Sequence, residues 1–409
     1  MFDLKYYPKE WKMSTTAVLR KPGKPDYSLP KAFRPITLLN SITKILSSIV
    51  SEDLIHLAET HHLLPDNHFG GRPGRSTTDS LMLAIRWTFE KWRKGLVVSG
   101  LFFDISGAFP NAVIARVIHN MRWYQIPIEY TQWITRRMAG CKTILTFDDY
   151  ESEPFEVSNG LDQGDPPSPV FYGFYNADLI EPNSDPNELK SAFVDDTMFF
   201  VAGNTYQENN TKLANMMAWR NSTTEWSKTH NSNFEIDKFT LLHLSCKCEP
   251  EPNRPGKQRL ILHPALTLTD HTITPSASHK FLGIILDQAL NFKEHANYAL
   301  GKGVTYAAQI QRLSQKRRDV PSLQARRLHN SIIMPKMLYA AEVCCNPIQD
   351  PAPGKRKKQG STGFATKLAR VQHTSTIFIT GTLRTTPTVA LDAHATTLPM
   401  HLTINKACM

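Results

Sequence analysis

Two short apolar runs that end in aspartate constrain this chain more than any other feature of its sequence. The first covers 96–105 and contains Phe103-Asp104, and the second contains Phe193-Val194-Asp195-Asp196. Runs of this length predict buried strands, and the acidic pair predicts a tight turn between two of them. Carboxylates among apolar neighbours are costly unless a partner neutralises them, and their oxygens suit the hard cation Mg²⁺.

Neighbouring strands could bring these carboxylates together, although Asp104 and Asp195 lie far apart in the sequence. Such a group could hold two Mg²⁺ ions for in-line phosphoryl transfer, one activating a hydroxyl and the other binding a triphosphate. The alternative is that each aspartate forms a turn or caps a helix, as aspartate often does. For any one of them alone, that simpler interpretation is preferable.

Composition excludes several classes of protein. The chain has 409 residues, of which 41% are hydrophobic, so a wholly disordered protein is excluded. No apolar run approaches the ~20 residues that a membrane-spanning helix needs, and charges interrupt the start of the chain where a signal peptide would be apolar. The six cysteines do not resemble a disulfide framework. These features predict a reduced, intracellular protein with no membrane partner.

The positive charge is concentrated near the C-terminus. The net charge is +10, and residues 291–409 contain 17 basic but only 5 acidic residues. A basic module beside a near-neutral one predicts a polyanionic partner, first of all nucleic acid. The predicted phosphate contacts are Arg312, Lys316, Arg317, Arg318, Arg326 and Arg327.

Hydrophobic spacing predicts an α+β chain that becomes mainly helical after about residue 290. Helices are predicted over 41–60, over a segment that ends at Gly95, and over 111–124, 128–139, 168–180 and 205–229. Strands are predicted over 96–105, 141–147, 153–158, 192–194, 197–201, 234–244 and 259–262, with a hairpin turn at Asp148-Asp149.

Several stretches, taken in order, resemble the reverse transcriptases of non-LTR retrotransposons (LINE-like elements). LFFDISGAF (101–109) looks like motif A, NGLDQGDPPSP (159–169) like motif B and AFVDD (192–196) like motif C. Further similar stretches are AFRPITLLNSITKI, HFGGRPGRSTTDSL, WSK with NFEIDKFTLL (motif D), HKFLGIILDQALNFKEH (motif E) and ITGTLRTTPTVALDAHATTLPMHL. The resemblance covers essentially 5–409, with no recognisable endonuclease or RNase H domain. An ordered series of motifs is far more specific than any one of them.

The resemblance implies catalytic roles for residues of motifs A to C. Asp104 and Asp195 would be metal ligands, Ile105 a ligand through its backbone carbonyl, and Asp196 the second carboxylate nearby. Phe109 would be a steric gate whose ring leaves no room for a ribose 2′-hydroxyl; its alternative role is core packing. In motif B, Gln163 and Gly164 would form the loop against the incoming nucleotide and template, where glycine lets the backbone come close.

Basic residues outside these motifs would bind the triphosphate. Lys21 and Arg34 are the implied contacts in the fingers, and Lys24 competes with Lys21 for its role. Lys238 of motif D would be the general acid that protonates pyrophosphate, or simply a solvated lysine. Leu282 and Gly283 would belong to the primer grip.

The fold implied is a right-hand polymerase of the α+β class with an antiparallel palm sheet. The expected parts are fingers over 1–95 with part of 110–158, a palm over 96–290 with motifs A to E, a helical thumb over 291–345, a basic Pro/Gly linker over 346–363 and a C-terminal segment over 364–409.

The implied function is RNA-directed DNA polymerase, a nucleotidyltransferase that extends a DNA primer on an RNA template with dNTPs and two Mg²⁺ ions, or Mn²⁺. It would act as part of a retrotransposon inside the cell, with the nucleus as one location open to it and other polyprotein domains as further partners. The alternative is a catalytically decayed, nucleic-acid-binding remnant. An RNA-dependent RNA polymerase would more often show glycine before the aspartate pair and no Phe109, and the motif D to E run argues against a group II intron maturase or a telomerase.

Three departures from the family pattern and two weaker signals complete the sequence analysis. Asp165 would add negative charge near the triphosphate, Pro167 would stiffen the motif B loop, and Pro110 replaces a common aspartate. HLSCKC (243–248) suggests zinc, but no second Cys/His pair follows at a suitable spacing, so a metal site is disfavoured there. The basic run 355–358 is either a nuclear localisation signal, a phosphate-contacting patch or a solvated linker.

Overall fold

The computed structural model of the chain describes residues 5–181, 185–218, 223–245, 248–250, 258–260, 263–268, 271–315, 320–351 and 359–408. Within them the predicted α+β class is confirmed. The chain divides into two compact units, one of Met1–His243 with Leu262–Pro275 and one of Leu244–Ile261 with Ser276–Met409. In the part of the chain that the structure describes, no helix is both long and apolar enough to cross a membrane.

The strands are β1 Met13–Arg20, β2 Phe33–Leu38, β3 Val97–Asp104, β4 Cys141–Phe147, β5 Tyr150–Glu151, β6 Phe155–Val157, β7 Glu188–Phe193, β8 Asp196–Gly203, β9 Thr240–Leu244, β10 Cys248–Pro250, β11 Gln258–Leu260, β12 Leu266–Leu268, β13 His271–Ile273, β14 Ser278–Phe281 and β15 Ile284–Asp287. The helices are α1 Ser41–Thr60, α2 Thr77–Arg93, α3 Ala108–Asn111, α4 Ile114–Trp123, α5 Ile128–Met138, α6 Ser168–Tyr175, α7 Tyr206–Ala218, α8 Thr223–Thr229, α9 Lys293–Gln315, α10 Ser322–Leu328, α11 Met334–Met337, α12 Ala341–Cys344, α13 Thr362–Thr380, α14 Thr388–Ala395 and α15 Met400–Ala407.

The sheet that carries the acidic strand ends has the order β7-β8-β3-β9. β8 pairs antiparallel with both β7 and β3. Every residue of β3 is buried except Asp104 at its end, and β8 is buried throughout except at Asp196. Burial on both faces explains why these strands read as continuous apolar runs rather than as alternating patterns.

A second sheet in the same unit has the order β2-β1-β4-β5, with β6 also on β4. β1 pairs antiparallel with β2 and parallel with β4, so N-terminal residues share one sheet with residues 141–157. The predicted hairpin is confirmed: Asp148 turns with φ +49° between β4 and β5.

Helix starts follow the local capping chemistry. The helix predicted over 41–60 is confirmed as α1, where the Asn40 side chain accepts a hydrogen bond from the Ile42 N–H. α2 begins after Ser76, which forms a capping box with Asp79. The prediction of one helix over 205–229 differs from the structure, which has α7 and α8 there.

The strand predicted over 234–244 begins only at Thr240. The residues before it pair with the end of β3 instead: the Ser106 N–H donates to the Asn233 carbonyl at 3.0 Å, and Ile105 bridges Phe234. This pairing leaves Ile236–Lys238 in a 3₁₀ turn beside the acidic strand ends. A long-range contact therefore decides the local conformation.

The second unit is mainly helical in its described residues, as the sequence predicts after residue 290. Its core contains apolar residues from α9, α11, α13 and α15, including Ile310, Met337, Leu368 and Ile404. The hairpin of β14 and β15 turns at Leu282 and Gly283, both with positive φ, and the Tyr339 hydroxyl donates to the Leu282 carbonyl at 2.7 Å.

Candidate active site

The antiparallel register brings the acidic residues of two distant segments together. Asp104 at the end of β3 lies opposite Asp196 at the start of β8. Asp195 lies in the two-residue turn that joins β7 to β8, immediately after Val194. The structure therefore places three carboxylates at one edge of a buried sheet, as the strand-end pattern suggests.

Repulsion among these carboxylates makes it less favourable for each of them to be ionised. Burial, followed by the nearby charges of Asp195 and Asp104, raises the pKa of Asp196 to about 6. Burial also raises the pKa of Asp195, where two backbone N–H groups and the positive charge of Arg34 act in the opposite direction. A crowded, partly buried set of oxygen ligands is what a hard divalent cation neutralises.

The carboxylate oxygens are the type of ligand that such a cation prefers, but the side chains are not yet arranged around one common position. Within the described residues, no three His, Cys, Asp or Glu side chains already surround one point as metal ligands would. Asp104 instead forms an ion pair with Lys238, whose Nζ lies 3.3 Å from Oδ2 of Asp104. The ammonium group thus occupies the position beside Asp104 where positive charge is needed.

Lys238 is held by a second carboxylate that the sequence analysis did not single out. Glu235 pairs with Lys238 at 2.8 Å and with Lys31 at 3.1 Å, and it accepts a hydrogen bond from the Ser106 hydroxyl at 2.8 Å. These three donors lower the pKa of Glu235 to about 2. The three-residue spacing of Glu235 and Lys238 in NFEIDK was the available signal; the contacts to Ser106 and Lys31 leave no trace in the sequence.

Lys238 remains a cation in this network. Partial burial lowers the pKa of Lys238, but Glu235 and Asp104 outweigh that effect and raise the pKa above its ordinary value. About half of its side chain is exposed, so it is accessible to a ligand. A protonated, accessible amine beside the carboxylates can donate a proton.

Phe109 lies where motif A predicts, in the short helix α3, and its ring is partly buried. The ring stacks on Tyr172 of α6, with centroids 5.1 Å apart and planes 20° apart. Tyr172 is fully buried. The stack fixes the orientation of the Phe109 ring, which a steric gate requires and which plain core packing also explains.

The motif B loop is attached to motif A and to the second sheet. The Leu161 N–H donates to the Phe109 carbonyl at 2.7 Å, and the Gln163 carbonyl accepts from the Thr37 N–H at 2.8 Å. Gly164 has φ +115°, and a Cβ there would lie 2.9 Å from the Thr37 carbonyl oxygen. Only glycine fits this close approach. The buried Oε1 of Gln163 has no hydrogen-bond partner among the described residues.

The two predicted triphosphate cations lie on the strands of the second sheet or beside them. Arg34 on β2 is exposed, and its charge lowers the pKa of Asp195, which places it within electrostatic reach of the acidic turn. Lys21 follows β1, and its Nζ donates to the Lys31 carbonyl at 3.1 Å. The competing Lys24 is exposed in the turn after β1.

Asp165 does not add open negative charge to the loop, contrary to the expectation from its position in motif B. Its side chain is fully buried and pairs with Arg137 of α5 at 2.7 Å. Burial raises the pKa of Asp165, and Arg137 lowers it in part. The pair is an internal link between α5 and the loop, and Asp162 adds a longer contact to Arg137 at 3.6 Å.

Within the described residues, the weaker signals give no second site. Both ring nitrogens of His243 are hydrogen-bonded, to the Ser99 hydroxyl at 2.7 Å and the Pro264 carbonyl at 3.0 Å, so this histidine is committed to the core. Cys246, the side chain of Cys248, residues 316–318 and the basic run 355–358 lie outside the described residues. Arg312 and Arg327 are exposed on helices of the second unit, and Arg326 is half-buried.

Comparison with known proteins gives consistent results. Residues 19–286 match the family model described as reverse transcriptase (RNA-dependent DNA polymerase). The probable RNA-directed DNA polymerase from transposon BS of Drosophila melanogaster is 24% identical, over 83% of this chain and 36% of that protein. The RNA-directed DNA polymerase from mobile element jockey of the same species is 22% identical, over 84% of this chain and 36% of that protein.

Among solved structures, the apo telomerase of Candida tropicalis has a TM-score of 0.49 at 9% sequence identity, over 98% of this chain and 65% of that chain. The chain spans about a third of the length of the curated relatives that it matches.

Proposed function

The chain belongs to the reverse transcriptase family, and we propose that it is an RNA-directed DNA polymerase of a non-LTR retrotransposon. It would add dNTPs to the 3′-hydroxyl of a DNA primer on an RNA template. The observation that carries the proposal is the register of β3 and β8, which sets Asp104 beside Asp195 and Asp196 at one sheet edge. A decayed remnant would have no need to retain all three carboxylates.

Members of this family use divalent metal ions, and we propose Mg²⁺ here, with Mn²⁺ as a substitute. Asp104, Asp195 and the carbonyl of Ile105 would hold two ions. When bound, such ions lower the pKa of the primer hydroxyl and neutralise the triphosphate. Asp196 contributes further negative charge from its position opposite Asp104. The side chain of Ile105 is 1% exposed, which anchors its backbone at the end of β3.

In the proposed reaction the primer 3′-hydroxyl loses its proton to solvent and its oxygen attacks the α-phosphorus of the dNTP, while the bond from that phosphorus to the bridging oxygen of pyrophosphate breaks. The leaving oxygen would take a proton from Lys238. Its raised pKa keeps the amine protonated at neutral pH, and Glu235 holds it beside Asp104. A general acid must be protonated and positioned before the bond breaks, and the Glu235 contacts support both conditions.

The remaining predicted residues would bind the nucleotide. Arg34 and Lys21 would contact the triphosphate, the Phe109 ring would exclude a ribose 2′-hydroxyl, and Gln163 with Gly164 would contact the base pair being formed. Support comes from the electrostatic reach of Arg34, the stacking of Phe109 and the anchoring of the Gln163–Gly164 loop to Thr37.

The proposal extends to parts and partners. We assign the fingers, palm and thumb over the ranges predicted from the sequence, with template–primer phosphates contacted by exposed cations such as Arg312 and Arg327. Further domains of a polyprotein are proposed partners, since the chain covers only part of its relatives. A product that is joined to chromosomal DNA would place the protein in the nucleus.

Primer extension tests the proposed activity. Purified protein should extend oligo(dT) on poly(rA) with dTTP and Mg²⁺, and Asp195→Asn should abolish extension because it removes a ligand charge. Asp149→Asn, at an exposed turn of the second sheet, is the matched control and should retain activity. Template binding by Asp195→Asn, measured by fluorescence anisotropy, should stay near wild type. Wild-type protein that binds template–primer tightly but incorporates no nucleotide would favour the decayed remnant.

A further inference from the structure

The turn that carries Asp195 has an unfavourable backbone conformation. Val194, the residue before it, has φ +60°. A β-branched residue in this left-handed region is a genuine outlier, and such conformations persist only where surrounding contacts enforce them. Surrounding contacts must therefore hold the turn in this conformation. The position of the turn sets the positions of the Asp195 and Asp196 carboxylates.

Two buried polar side chains, Asn176 and His68, form a chain of hydrogen bonds that ends at this turn. Asn176, at the C-terminal end of α6, donates from Nδ2 to the Val194 carbonyl at 2.7 Å. Its Oδ1 lies 3.0 Å from Nε2 of His68. Both Asn176 and His68 have no exposed surface. The Val194 carbonyl belongs to the peptide that leads directly into Asp195.

The polarity of this chain of hydrogen bonds is determined by its last link. Because the Val194 carbonyl can only accept, the amide nitrogen of Asn176 must face it, and Oδ1 must face His68. Nε2 of His68 therefore carries the proton and donates. A neutral imidazole satisfies this requirement, and burial, which lowers the pKa of His68 to about 4, keeps it neutral.

The backbone around His68 is fixed to the same turn. His68 forms a parallel bridge to Ala192 of β7, and the Phe69 N–H donates to the Ala192 carbonyl at 2.9 Å. Two residues later, a Cβ on Gly70 would collide with the Val194 nitrogen. The HFGG segment thus lies directly against the turn, and no larger residue would fit at Gly70.

We propose that His68 and Asn176 are positioning residues that hold the Val194 peptide in its left-handed conformation and thereby fix Asp195 and Asp196 opposite Asp104. The inference rests on the proposed polymerase function for its kinetic consequence, but not for its structural one. Neither residue contacts a substrate; they act through the Val194 carbonyl.

Amide hydrogen exchange tests the structural consequence without any activity. Asn176→Ala should speed exchange of the peptide covering 191–197 by about tenfold or more, because a buried carbonyl loses its donor. Asn210→Ala is the matched control: Asn210 is also buried, and it donates to the Pro264 and Ala265 carbonyls away from the turn. It should leave exchange over 191–197 unchanged. Unchanged exchange in Asn176→Ala would overturn the proposal whatever the activity.

Primer extension tests the kinetic consequence. His68→Leu should lower kcat about tenfold or more with little change in the KM for dTTP, since the carboxylates rather than the nucleotide contacts are displaced. His68→Gln should recover most of kcat, because its amide N–H can donate to Asn176. Equal loss in both variants, or loss only in KM, would refute a positioning role. Inactive wild-type protein would refute the proposed function instead, and the exchange experiment would still decide on the turn.

Discussion

Replacing Asp196 by asparagine is expected to stabilise the metal-free protein although it should abolish polymerisation. Burial, together with the charges of Asp195 and Asp104, raises the pKa of this carboxyl from 3.8 to about 6. At about 1.4 kcal/mol per pKa unit, a shift of roughly two units corresponds to about 3 kcal/mol. Above pH 6 the folded protein bears this cost as an ionised, crowded carboxylate. Asparagine removes the charge and keeps the shape.

The sign of the pH dependence follows from the raised pKa. Between about pH 6 and pH 4 the folded state binds a proton at Asp196 that the unfolded state does not, so falling pH stabilises the wild type. The stability difference between Asp196→Asn and wild type should therefore be about 3 kcal/mol at pH 7.5 and close to zero at pH 4. Adding Mg²⁺ at pH 7.5 should narrow the difference, because cation binding to the folded state stabilises the wild type more than the variant.

Urea unfolding followed by tryptophan fluorescence measures this difference. All seven tryptophans precede residue 243, so the signal reports the unit that contains Asp196. Asp149→Asn is again the control, and its exposed side chain should change the free energy of unfolding by less than about 0.5 kcal/mol. The reasoning fails if Asp196→Asn is no more stable than wild type at pH 7.5, or if its advantage is the same at pH 4.

Three further predictions concern the surroundings of the site. Asp165→Asn should destabilise the first unit by about 3–5 kcal/mol in the same urea assay, because it leaves the buried Arg137 guanidinium with only the longer contact to Asp162, whereas Arg137→Met with Asp165→Leu should recover most of the loss; an unaltered midpoint for Asp165→Asn would contradict the pairing. Glu235→Gln should lower kcat more than KM in primer extension and shift the basic limb of the kcat–pH profile to lower pH, since Lys238 loses an anionic partner that raises its pKa; a pH-independent loss would argue for a purely structural role. Phe109→Val should admit rNTPs, measured as the ratio of kcat/KM for UTP and dTTP, and unchanged sugar selectivity would refute the gate.

The elements that carry the site could be predicted from the sequence because their signals are local. A short apolar run ending in Asp104 predicts a buried strand, and an acidic pair between two such runs predicts a turn; both are confirmed. The α1 helix follows equally from helical spacing after Asn40. Once the two strands are neighbours in one sheet, their aspartates meet at the strand ends.

The partners of the charged residues could not be predicted, because each pairing joins segments that are distant in sequence. Asp165 was expected to oppose the triphosphate, yet Arg137 on α5 neutralises it inside the first unit. Glu235 was not singled out at all, because its partners Ser106 and Lys31 come from other segments. The composition of a loop gives the charges present, and only tertiary packing decides which of them meet.

The acidic turn combines two unfavourable features, like charges in a partly buried place and a left-handed valine, and each has its own compensation. A cation, or the Lys238 ammonium beside Asp104, reduces the repulsion between the carboxylates. A charge near the side chains does not, however, determine the backbone conformation of the turn that carries them. The Asn176 amide and the close approach of Gly70 act on that backbone directly. Since the carboxylates repel, a turn held only by its cation would open when the cation left. We therefore expect this second, uncharged restraint, which does not depend on a cation, to keep the three carboxylates together when no cation is bound.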